Sequence, residues 1–276
     1  PGTLLDQIVD DAALFPPGNA PMAQAVASHA THRAAWYADL VGPLVCPASR
    51  IDELRSTLPA DATLALSLVF DVSGDAAHDA LRAVGSDERL TLAAVEAAHA
   101  RLGDDAATVG ENLRRLPGTV GFLEVARTGF DDGLDLVAKG GWRAAKYRTG
   151  GVTPEDFPTE GELAAFMIAA AERDLPFKLT AGLHHALRST TREGYEAHGL
   201  LNALVASRVA TSGVGGREVA IVLAQRQPAP LVELINGWDE STCGDVRRAF
   251  RSVGCCGVTD PIGELAELGL VEEPAA

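Results

Sequence analysis

The sequence predicts an α/β chain folded as a (β/α)8 TIM barrel with a C-terminal helical extension, and two observations predict it. Short apolar runs rich in Val, Leu and Ala begin at residues 7, 40, 63, 89, 119, 142, 176 and 199, in steps of 23 to 34 residues, the repeat length of a β-α unit. Between them lie segments of helical periodicity with recognisable ends. Strands buried on both faces read as unbroken apolar runs, so the pattern implies a parallel sheet covered by helices. Eight such units close into a barrel of about 250 residues.

Each element has its own signal. "QIVDDAAL" is the first strand, and "FPPGN" after it is a turn, with two prolines fixing φ and Gly-Asn closing the loop over the barrel mouth. "LVGPLVCP" is the second strand; "ASRIDELRSTL" follows, with Ser49 and Glu53 as an N-terminal capping region and Pro59 just past the helix. "TLALSLVFD", "RLTLAAVEA" and "TVGFLEVA" are the third to fifth strands, and "FDDGLDLVAKGG" is a helix ending in a glycine pair. "WRAAKYRT" and "PFKLTAG" are the sixth and seventh, separated by "TEGELAAFMIAAAERD", where Thr159 and Glu162 have capping-box spacing. "GLLNALVAS" reads as the eighth strand, about 16 residues beyond the seventh, so that crossover is expected to be degenerate. "SGVGG" (212–216) reads as a flexible connector. Residues 1–216 are thus the expected barrel core. Residues 217–276 are the expected last barrel helix and a helical extension packed on the barrel, broken by Pro228, Pro230, Gly237 and Pro261.

Composition narrows the function. A net charge of −15 over 276 residues excludes a nucleic-acid or anionic-membrane surface as the main partner, because phosphate binding needs a concentrated positive field. The expected partner is a small molecule, and homo-oligomers are compatible with so acidic a chain. The N-terminus lacks a basic region followed by an apolar stretch, and no long uncharged run appears, so a cytoplasmic location is expected. Cys46, Cys243, Cys255 and Cys256 lack C-x-x-C spacing and read as reduced bystanders.

The chain carries 20 arginines but only three lysines, and Lys146 and Lys178 both lie in predicted strands. At the C-terminal ends of the strands, where such barrels place their chemistry, stand Asp10, Asp11, Asp71, Glu96, Glu124, Lys146, Arg148, Lys178, Thr180 and Asn202, with His184 and His185 just beyond. Two ammonium groups on neighbouring strands repel, and burial also disfavours charge, so both effects are expected to lower a lysine pKa. A neutral lysine adds to carbonyl carbon and forms a Schiff base, which arginine cannot do. Ordinary ion pairing, Lys146 with Glu124, is the competing reading.

"KYRTGG", followed 32 residues after its lysine by "KLTAG", resembles the class I deoxyribose-phosphate aldolase family. That family carries its Schiff-base lysine in a K-x-x-T-G strand end and a modulating lysine in a second. "IVDDAALFPPGNAPMAQAV", "PLVCPASRIDELRSTL", "LSLVFDVSG" and "FLEVA" are similar, in order, to its other strand ends, so the likeness spans roughly residues 5 to 182. The resemblance implies that Lys146 forms the imine, that Lys178 tunes it, and that Glu96 stands on the fourth strand where the family has its proton-relay aspartate. From their places at the strand ends, His184 is the alternative proton carrier and substrate contacts are expected from Asp11, Glu124, Arg148, Gly150, Gly151, Thr180, Gly182, His185 and Asn202, with no cofactor expected. The chain departs from the family at "AGLHHALR" and "NALVASRVA", which replace its phosphate-binding loops, so phosphate recognition is not implied. Arg148, Arg188 and the backbone of Gly150 and Gly151 remain as candidate anion contacts. Two other readings compete. His184, His185 and His198 with Asp11 or Glu124 would hold a divalent metal in a lyase or hydrolase, or the barrel would bind a small molecule without turning it over.

Overall fold

The computed structural model describes residues 3–273 and is a closed eight-stranded parallel barrel, in the order β1-β10-β7-β6-β5-β4-β3-β2, wrapped by helices. The strands are β1 (Val9–Asp11), β2 (Val41–Pro47), β3 (Leu64–Val69), β4 (Leu90–Ala98), β5 (Val120–Glu124), β6 (Ala144–Arg148), β7 (Phe177–Thr180) and β10 (Phe250–Cys255). The first half alternates with α1 (Met22–Ala34), α2 (Ile51–Thr57), α3 (Asp75–Gly85), the short α4 (His99–Leu102) and α5 (Ala106–Leu113). Helices α6 (Asp131–Ala138) and α7 (Glu160–Glu172) follow β5 and β6.

Side chains alternate across each strand and so sort themselves between two environments. On β6, Lys146 faces the interior while Tyr147 points out, stacks on Phe166 of α7 at 4.3 Å between ring centroids, and donates its hydroxyl to the Arg127 carbonyl. The capping box of α7 is formed: Glu162 N–H donates to Thr159 Oγ1, and Thr159 N–H donates to Glu162 Oε2. Ser49 behaves differently from the expectation. It does not cap α2 with Glu53; its amide and hydroxyl both donate to Asp71 at the end of β3, and Glu53 pairs with Arg50 instead.

The eighth strand is the main correction. Residues 199–207 do not form it: Gly199 is the N-cap and Leu200–Ser207 the larger part of α8 (Leu200–Thr211), which is buried along nearly its whole length. A helix enclosed on all sides shows the same unbroken apolar run as a doubly buried strand, so periodicity cannot separate them. The barrel closes instead with β10, inside the 217–276 segment, where Arg251, Ser252 and Gly254 interrupt the apolar run and disguise the strand as a continuation of α11 (Glu240–Ala249). The β7–β10 connection is therefore long, not degenerate. It holds a small hairpin, β8 (Ser189–Thr190) with β9 (Glu196–Ala197), then α8, α9 (Gly216–Leu223), α10 (Pro228–Asn236) and α11; α12 (Thr259–Glu267) follows β10.

Asn202 organises this insertion rather than the barrel mouth. Fully buried on α8, it accepts from the Arg188 amide and donates to the carbonyls of Val222 and Gln225, tying three segments together. Asn202→Ala strands those buried groups and is expected to lower stability by about 2–3 kcal/mol, read by urea unfolding.

Candidate active site

Strand register brings the two lysines side by side. On β6 and β7, Lys146 is paired directly with Lys178, and on β5 and β6 Glu124 is paired with Lys146. Both lysines point inward to the floor of a cavity of about 430 Å³ at the C-terminal ends of the strands. Phe15 and Pro16 of the FPPGN turn line it from the first loop, as expected from the sequence.

The lysines do not simply face each other. Glu96 of β4 stands between them, with Oε2 at 2.7 Å from Lys146 Nζ and Oε1 at 2.7 Å from Lys178 Nζ. Lys146 also meets Glu124 Oε2 at 2.9 Å, and Glu124 Oε1 lies 3.3 Å from the Arg148 guanidinium. Lys178 donates to Asp10 Oδ2 at 2.5 Å and sits over the Phe122 ring, 5.2 Å from its centroid. Two hydroxyls complete the cluster, Ser67 donating to Glu96 Oε1 and Ser252 to Asp10 Oδ2.

The electrostatic expectation is therefore corrected. Burial and the neighbouring ammonium do push Lys146 downward, but Glu96 and Glu124 outweigh them and its pKa is raised. Lys178 is likewise raised, burial being overcome by Asp10 and Glu96. Burial also opposes the charge on Glu96 and Glu124, yet their cationic partners win and hold both below the usual carboxylate range. Asp10 goes the other way: desolvation dominates and raises it. At rest the site holds two ammonium groups. Lys146 is the more accessible, its side chain 7% exposed against 1% for Lys178.

The remaining predicted residues divide. Arg148, Gly151, Thr180, Gly182 and His184 line the cavity with Glu96 and Glu124. Gly150 does not; it packs where a Cβ would collide with the Ala181 carbonyl, allowing the ends of β6 and β7 to touch. The chain after β7 turns sharply, with positive φ at Ala181 (57°), Gly182 (145°) and Leu183 (55°), an uncommon and strained run at a site wall. Asp11 is on the other face of β1: its carboxylate meets the buried His29 Nδ1 at 2.9 Å and accepts the Ala13 amide. Asp10, one residue earlier, is the inward one.

His184 and His185 diverge. His184 lies on the cavity wall with Cys255 Sγ 3.4 Å from Nδ1 and Cys256 Sγ 3.8 Å from Nε2, while His185 turns outward to Glu264 at 2.6 Å. Burial lowers the His184 pKa and raises both thiols, so these groups are neutral. His198 is elsewhere, hydrogen-bonded to the Pro158 carbonyl, and Arg188 is buried against Glu160 and Glu196. Among the described residues no three His, Cys, Asp or Glu side chains converge as a metal-holding group, so the histidine set does not fit a divalent ion. No helix is long and apolar enough to cross a membrane among the described residues.

Sequence reasoning passed over Ser67, Ser252, Arg101 and the inward role of Asp10. The signal for Ser67 was present: it is the single polar residue inside "LALSLV". Comparison with protein-family profiles, curated proteins and solved structures finds no match to this chain.

Two outcomes are expected of this cluster. Glu96→Gln removes the charge that both lysines share, so the pH midpoint for Lys146 modification by an amine reagent, followed by peptide mass spectrometry, moves down by about one unit or more. Lys178→Met leaves Asp10 and Glu96 without their common cation and costs about 3–5 kcal/mol in denaturant unfolding.

Proposed function

We propose that this barrel is an aldolase-like carbon–carbon lyase that acts on a small carbonyl compound through an imine on Lys146. The observation that carries the reading is the register-paired Lys146 and Lys178 bridged by Glu96 on the floor of a cavity large enough for a small substrate. The resemblance to class I deoxyribose-phosphate aldolases, which places the imine-forming and modulating lysines at these two positions, supports it.

Lys146 begins as an ammonium ion and must lose a proton before it can attack. Glu124, 2.9 Å away and bordering the cavity, is placed to take it. The neutral nitrogen then adds to the carbonyl carbon: the C–N bond forms, the C=O π electrons move to oxygen, and Glu124 returns the proton there. Loss of water from the carbinolamine gives an iminium ion, which accepts the electron pair released when the bond between its α and β carbons breaks. The β-hydroxyl gives up its proton as that carbon leaves as an aldehyde, and the enamine left on Lys146 is protonated and hydrolysed to free the amine. Glu96 lies within reach of the same nitrogen and serves as the second proton carrier. Lys178, held as an ammonium by Asp10 and Glu96, supplies fixed positive charge rather than a nucleophile. The closed ion-pair network also favours a second reading, a barrel that binds a small carbonyl compound without turnover.

Intact-mass spectrometry after incubation with small aldehydes and oxo acids plus borohydride tests the proposal. A reduced adduct is expected on Lys146 and absent from Lys146→Arg, with turnover of the same compound following. An adduct that persists in Lys146→Arg and maps to Lys178 overturns the assignment, and a Lys146 adduct without turnover of any panel member leaves the binding reading in its place.

A further inference from the structure

The cationic groups left at the cavity mouth define the kind of substrate the site accepts. Of the anion contacts expected from the sequence, Arg188 is already enclosed by Glu160 and Glu196 away from the cavity. In the loop after β6 that begins with Gly150 and Gly151, the next two amides, Val152 and Thr153, donate to the Asp156 carboxylate. Arg148 remains, with 49% of its side chain exposed and, among the described residues, a single long ion pair, 3.3 Å to Glu124. Arg101, at the start of the segment after β4, lines the same cavity and makes no ion pair among the described residues.

Arg148 is also placed relative to the reacting nitrogen. It follows Lys146 by two residues on one strand, so the two side chains leave the same face about 6.6 Å apart along the backbone. An anionic group held there lies close to the carbonyl carbon rather than at the far end of a long substrate. The charge balance argues in the same direction. Lys146, Lys178, Arg101 and Arg148 face Glu96, Glu124, Asp71 and Asp156 across the cavity wall, so there is no surplus positive charge for a phosphate dianion. A carboxylate adds half as much negative charge and matches the guanidinium fork.

We propose that the substrate is a 2-oxo acid whose carboxylate is taken by Arg148, assisted by Arg101, and that this contact draws Arg148 away from Glu124 and so frees Glu124 to accept the Lys146 proton. The inference rests on the imine reading above and adds the substrate class and the trigger. Before binding, Arg148 and Lys146 share Glu124, and the pair with Arg148 helps hold that carboxylate ionised. With the substrate carboxylate on Arg148, Glu124 loses one of its two cations and becomes the better proton acceptor. One proton moves from Lys146 Nζ to Glu124 Oε2, the amine attacks, and that proton, with a second one given up by the nitrogen, leaves with the carbonyl oxygen as water to give the iminium ion. No redox partner is needed.

The test compares pyruvate, propanal and glyceraldehyde 3-phosphate in cyanoborohydride trapping, reading the concentration that gives half-maximal adduct on Lys146 by intact mass. Pyruvate is expected to trap at a concentration at least tenfold below the other two. Arg148→Gln is expected to reduce that preference at least tenfold, Arg101→Gln to reduce it less, and Arg148→Lys to restore part of it, each variant being checked for a wild-type thermal melt. Equal trapping of pyruvate and propanal overturns the inference while leaving the imine chemistry in place, as does a pyruvate preference that survives Arg148→Gln. A preference for the phosphorylated aldehyde overturns the carboxylate assignment. No Lys146 adduct with any of the three removes the imine reading itself, and the inference with it.

Discussion

The buried carboxylate of Glu96 is the constraint on which the site depends. Its two oxygens face two ammonium groups on adjacent strands, and without it Lys146 and Lys178 would be two desolvated like charges in register. Bringing charges out of water costs several kcal/mol each, and only closely spaced partners with their remaining hydrogen-bonding capacity satisfied offset that cost. Glu96 meets the condition through both lysines and the Ser67 hydroxyl, and Asp10 through Lys178 and Ser252. The cluster, Glu124 included, spans β1, β3, β4, β5, β6, β7 and β10, so closure of the barrel and assembly of the site are one event.

That dependence has a pH consequence that follows from the directions of the shifts. Glu96 and Glu124 are held below their usual value of 4.5, so their contribution to stability is fully present above that value and is lost as pH falls through their lowered pKa values. Lys146 and Lys178 are raised above 10.5; their contribution is present below that value and is lost as pH rises through the raised ones. Asp10 opposes the trend, since its burial makes the ionised form less favourable in the folded chain than in the unfolded one. The cluster as a whole therefore favours the folded state across the neutral range. In that same range Lys146 is an ammonium ion.

The barrel was legible from spacing because seven of its strands are buried on both faces and read as apolar runs at a regular interval. The eighth was not, because the last connection carries its own buried helix. Leu200 to Ser207 satisfy the strand pattern through helix packing, whereas Phe250–Cys255 carries Arg, Ser and Gly. The lysine pair was legible from composition, since a chain that otherwise uses arginine for positive charge keeps lysine at two strand positions. The choice between Asp10 and Asp11 needed a register that a three-residue strand does not display. His185 and Asn202 were placed at the mouth by their positions in the chain alone. The left-handed turn at Ala181–Leu183 sends the histidines to different sides, and Asn202 belongs to a helix.

The choice of lysine at residue 146 then has a physical meaning that ion pairing alone does not supply. Arginine would fulfil the pairing role, with a planar fork suited to bridging two carboxylates, and it stays protonated under all ordinary conditions. Lysine presents a compact ammonium whose charge depends on its neighbours, and here those neighbours are carboxylates on β4 and β5 that can take a proton. The network that stabilises the folded barrel keeps the nitrogen protonated, and in the proposed reaction the same hydrogen-bonded contacts would provide the route by which its proton departs. On that reading stability and reactivity are set by one group of side chains. In the proposed reaction, what separates the two states is the position of a single proton between Lys146 and Glu124, and a substrate would reach chemistry by changing the surroundings of that proton.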